Sequence, residues 1–96
     1  VGTPVVGLVN EWALRDVADE VVELVLRKNA DYGDAWQVYG LAGILVRLSD
    51  KAMRVERLAQ GEALVVEEGA RDTLMDMVGY CLLGLLLIDS QSGGCS

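Results

Sequence analysis

The sequence predicts an all-α fold: a bundle of three main helices with short connecting segments, completed by oligomerisation. Three observations carry that prediction. Two segments repeat apolar residues at helical spacing, and a third is apolar nearly all round. A single run, "ALVV", could form a strand, and one strand cannot make a sheet. Ninety-six residues without repeats, linkers or low-complexity stretches make one domain, expected at 1–90, with a flexible Ser/Gly tail at 91–96.

The first helix is expected at 10–28, with Asn10 as its cap. Leu14, Val17, Val21, Leu24 and Val25 line one side, while Asp16, Asp19, Glu20, Glu23 and Arg27 fall on the other. A turn rich in Gly, Asp and rings follows, in which Gly33 is expected to supply a positive φ. The second helix is expected at 41–60, stopped by Gly61. Ile44, Leu48, Ala52, Val55 and Leu58 share one face; Arg47, Asp50, Lys51 and Arg54 share the opposite one. The last helix is expected at 68–88, with Glu67 and Glu68 suited to its positive amino end.

Charge and composition exclude several classes. Eight basic against fifteen acidic residues give a net charge of -7, which argues against duplex DNA as a partner, because phosphate neutralisation needs a basic surface. A nucleotide carried by a metal ion is compatible with that charge. The two cysteines, Cys81 in an apolar run and Cys95 in the tail, form no disulfide framework, and fit a reducing cytoplasm. The amino end "VGTPVV" lacks the pattern of a secretory signal. The most apolar segment, "MVGYCLLGLLLI", is twelve residues long. A membrane span needs ~20, so no membrane is expected and the segment reads as a buried helix. The chain has no His, so carboxylates, Lys or Tyr must carry any chemistry.

Candidate site residues stand on that last helix. Asp72, Asp76 and Tyr80 lie at i, i+4 and i+8, a polar stripe on an apolar rod. A carboxylate removed from water demands compensation, so something positive should face it. Arg47, Lys51 and Arg54 are the candidates within the chain, and Mg²⁺ or Mn²⁺ is the other. A structural ion-pair network and a ligand site are both open readings. Glu20 and Glu23 could share a cation or sit as surface charges. Tyr32 and Trp36 offer rings for stacking a base, or plugs for the end of the bundle. Lys28 and Asn29 offer donors for phosphate or base edges.

The ordered motifs "KNADYGDAW", "LVRLSDKAMRVERL" and "DTLMDMVGYCLLGLLL" resemble the nucleotide modification associated domain family, first type, met in phages and bacteria. The likeness covers about 27–87. It implies signature positions at Lys28, Asn29, Asp31, Tyr32, Gly33, Trp36, Arg47, Asp50, Lys51, Arg54, Asp72, Asp76 and Tyr80, and a role connected with nucleotides. A looser likeness extends to the MazG-like all-α nucleoside triphosphate pyrophosphohydrolases, which bind Mg²⁺ in oligomeric helical bundles. That likeness implies cleavage of a (deoxy)nucleoside triphosphate between α- and β-phosphates. Asp50, Asp72 and Asp76 would be metal ligands, and Lys51, Arg47 and Arg54 would meet the phosphates. The chain departs from that pattern where paired glutamates are expected, showing Ser49-Asp50-Lys51 and Arg54 instead. A homodimer or dimer of dimers, with the last helix near its interface, is expected because so few helices leave much aliphatic surface bare.

Overall fold

A computed structural model describes residues 6–33, 35–61 and 63–91, with backbone only at 32, 35 and 63–68. Helix α1 spans Glu11–Tyr32, a short 3₁₀ turn spans Ala35–Gln37, α2 spans Gly40–Leu58 and α3 spans Ala63–Gln91. No strand occurs among the described residues, and the fold is the all-α bundle expected.

The elements form for local reasons. Asn10 caps α1: its Oδ1 accepts from the Ala13 amide at 2.9 Å, satisfying a donor that the helix itself cannot use. No breaker follows Lys28 until Gly33, so α1 runs four residues beyond its expected end. Gly33 then closes it at φ 64°, its amide donating to the Asn29 carbonyl at 2.7 Å. Helix α2 stops at Leu58, before the expected end at 60, and the Gly61 amide donates to the Leu58 carbonyl at 3.0 Å. The largest departure is α3. It begins at Ala63, so "ALVV" is helical, and Glu67 and Glu68 lie within the helix rather than at its amino end. Two adjacent valines lower helix propensity only slightly, and the long apolar segment behind them carries the helix through. At the other end Gln91, the expected first residue of the 91–96 tail, is still helical, and 92–96 lie outside the described residues.

Helix α2 packs along α3 over a longer interface than α1 does. Among the described residues each helix contributes one buried aliphatic residue: Val21 from α1, Ile44 from α2 and Leu87 from α3. Glycines set the close approaches. A Cβ at Gly79 would stand 3.0 Å from Val25 Cγ2, and one at Gly84 would stand 3.6 Å from Leu41 Cδ1. Thr73, also buried, returns its hydroxyl proton to the Gly69 carbonyl at 2.7 Å, so it needs no other partner. Val21 is 1% exposed. Val21→Ala is therefore expected to cost about 1–2 kcal/mol, read as a lower urea midpoint at unchanged slope.

The last helix is not the buried rod that its composition predicts. Leu74, Val78, Leu85, Leu86 and Ile88 are exposed, and so is Cys81. On α1, Leu14 and Val17 are exposed as well, so its expected apolar face is covered only from Val21 onward. The cause is geometric: two shorter helices cannot surround a third of 29 residues. By length and composition alone, 69–91 is long and apolar enough to cross a membrane, with 17% of its most apolar window buried inside the chain. The helix continues through Asp76, so its apolar length exceeds the twelve residues counted after that aspartate.

Candidate functional site

The amino-terminal turns of α2, the last turns of α1 and the middle of α3 enclose a cleft of about 550 Å³. Its floor is aliphatic, made by Leu24 and Val25 of α1, Ile44 of α2 and Leu83 of α3. Trp36, Tyr39 and Tyr80 bring rings to its walls, while Lys28, Asn29, Arg47 and Asp76 bring polar atoms. The local fold explains these positions. The longer α1 carries Lys28 and Asn29 on a helix rather than in a loop, which fixes their direction. The 3₁₀ turn presents Trp36, and Tyr39 immediately precedes Gly40, whose φ of 57° turns the chain into α2. A Cβ at Gly43 would stand 2.7 Å from that of Tyr39, so glycine is what lets the tyrosine lie against the first turn of α2.

One carboxylate ties the three helices together beside this cleft. Asp76 Oδ1 accepts from Lys28 Nζ at 3.0 Å, and Oδ2 accepts from Lys51 Nζ at 3.1 Å. Its side chain is 17% exposed, so the charge needs those partners. Burial by itself raises the Asp76 pKa; hydrogen bonds and charge from Lys28 and Lys51 together outweigh burial and hold it below the ordinary 3.8. A second tie is peripheral: Arg71 Nη2 donates to both oxygens of Glu20, at 3.0 and 3.1 Å, joining α1 to α3 at the surface. That assigns Glu20 a structural partner, while Glu23 stands exposed.

Asn29 carries a different signal. Its Oδ1 is buried and receives no hydrogen bond. An orphaned acceptor costs about 1–3 kcal/mol, which a ligand donor would offset.

A second concavity, about 400 Å³, adjoins the first. It is lined by Arg47, Asp50, Lys51, Met53, Arg54 and Arg57. Four of the chain's eight basic residues therefore meet in one place on a protein of net charge -7. Arg47 lines both concavities.

The residues singled out from the sequence divide accordingly. Lys28, Asn29, Trp36, Arg47, Asp76 and Tyr80 gather at the cleft; Asp50, Lys51 and Arg54 gather at the cationic groove. Asp31 is exposed outside both, and the side chain of Tyr32 lies outside the described residues. Asp72 is exposed and does not share the setting of Asp76, because α3 turns that end of the stripe toward solvent. Among the described residues no three His, Cys, Asp or Glu side chains come together as a metal site. Asp50 stands among cations and both oxygens of Asp76 are engaged by lysines, so the described donors of one chain do not fit Mg²⁺ or Mn²⁺. Among the charged and aromatic lining residues, Arg57 and Tyr39 were not foreseen as site residues. Arg57 continues the Arg47, Arg54 row by one further turn, a spacing visible in the sequence, whereas the position of Tyr39 depends on the tertiary turn.

A family profile described as nucleotide modification associated domain 1 matches residues 28–88. No curated protein and no solved structure matches the chain. The matched segment begins at Lys28, the first polar residue of the cleft, and contains most of its walls.

Proposed function

The chain belongs to the nucleotide modification associated domain 1 family, and from that premise we propose that the cleft binds a nucleotide or modified nucleotide. The observation that carries this reading is the convergence of rings, cations and an aliphatic floor in one cleft. The base stacks on Trp36 with Tyr39 and Tyr80 beside it, since a π-face suits any base. A base N–H meets the orphaned Oδ1 of Asn29, and Lys28 with Arg47 holds the first phosphate. A thermal-shift screen of nucleoside mono- and triphosphates, with and without Mg²⁺, tests it. A specific ligand raises the melting temperature because it binds only the folded state. No shift with any nucleotide would remove the proposal.

A hydrolytic reading, Mg²⁺-dependent cleavage between α- and β-phosphates, would draw on Asp50, the carboxylate that lines the cationic groove among the described residues. It requires metal ligands beyond the described ones of a single chain, with Asp50, Asp72 and Asp76 completed by a second copy. Pyrophosphate released in Mg²⁺ supports it; binding without product after prolonged incubation leaves the cleft a binding or sensing module.

The proposal includes self-association, supported by the bare aliphatic faces of α1 and α3. The radius of gyration is 15.5 Å, against about 12–13 Å for a compact domain of this length. A second copy that covers Leu74, Val78, Leu85 and Ile88 would bury that surface. Light scattering is expected to give a dimer or tetramer in buffer, with no co-flotation on lipid vesicles. A monomer, or a protein recovered with the vesicles, would contradict it.

A further inference from the structure

We infer that the cationic groove of α2 seats a polyphosphate chain directly, by side-chain cations and without a divalent ion. This rests on the nucleotide reading of the adjoining cleft and concerns how the phosphates are held.

Three observations carry it. Arg47, Lys51, Arg54 and Arg57 line one concavity, spaced over about 15 Å of helix axis, long enough for several phosphates in a row. Arg47 lines both the cleft and the groove, so a nucleotide with its base against Trp36 and its first phosphate on Arg47 can run its further phosphates along α2. The acidic groups that a bridging cation would require are committed or scattered. Among the described residues, Asp76 is engaged by Lys28 and Lys51, Asp72 stands exposed elsewhere on α3, and Asp50 is the one carboxylate lining the groove, among four cations. Guanidinium groups match phosphate oxygens in paired hydrogen bonds, so a row of them neutralises a phosphate chain without a bridging cation. The bare polyanion is therefore the better ligand, and a phosphate chain already neutralised by Mg²⁺ the poorer one.

The test is calorimetry on the full chain with the four common deoxynucleoside triphosphates and their monophosphates, each in EDTA and in Mg²⁺. In EDTA the triphosphate is expected to bind at least about tenfold tighter than its monophosphate, with no gain on adding Mg²⁺. The double variant Arg54→Gln, Arg57→Gln is expected to abolish that advantage. Both residues are exposed on α2, and circular dichroism would verify its unchanged helix content. Triphosphate binding that appears only with Mg²⁺ would overturn the inference while leaving the nucleotide reading intact. So would equal affinity for mono- and triphosphate, or an advantage that survives in the double variant. Failure of every nucleotide to bind in either buffer would overturn both.

Discussion

Asp76→Asn is expected to lower stability at neutral pH by about 2 kcal/mol, and the melting temperature by roughly 10 °C. The change removes the charge that holds Lys28 of α1 and Lys51 of α2 against α3. Breaking a fully buried pair costs about 3–5 kcal/mol, but Lys28 is half exposed, and water recovers part of that loss. The pH dependence identifies the source. The Asp76 pKa is depressed on folding, so its contribution is present above the ordinary carboxyl value of 3.8 and is lost as pH falls through the lower folded value. The gap between parent and variant should therefore stay constant from neutral pH down to about 4 and close below 3.8. Denaturant melts across that range would show it. A gap that persists unchanged into strong acid would mean the ion pairs contribute nothing.

Trp36→Ala is expected to weaken nucleotide binding about 10- to 100-fold, from the ~1–3 kcal/mol that stacking contributes per base. Trp36→Phe should restore most of it, since a ring of any kind supplies a stacking face. Trp36 belongs to the 3₁₀ turn and is not among the buried core residues, so the melting temperature should move little by comparison. Calorimetry with the tightest nucleotide from the thermal-shift screen measures both variants. Unchanged affinity in the alanine variant would mean that the ring closes the end of the bundle and nothing more.

The groove and the cleft differ in how far they could be read before folding. Arg47, Asp50, Lys51 and Arg54 occupy one face because 3.6 residues per turn puts them there, and the structure keeps them together. Asp76 needed a cation for reasons of solvation alone, and Lys51 supplies one as anticipated. Its other partner, Lys28, is 48 residues away in sequence, and helical spacing has nothing to say about such a pair. Asp72 shows the converse. It shares a stripe with Asp76, yet one helical turn earlier that side of α3 faces solvent while Thr73 beside it is buried.

Periodicity, charge and motif order by themselves determined the all-α class, the three helices, the cap at Asn10, the turn at Gly33 and the family to which the chain belongs. These are local properties, set by spacing along one chain. Only the tertiary structure decided that α3 starts at Ala63 and stays largely bare, that Asp76 joins three helices, and that Tyr39 and Asn29 line the same cleft. Each of those depends on where one helix crosses another, which side-chain volumes and the glycine notches at Gly79 and Gly84 fix, and no single helical wheel contains.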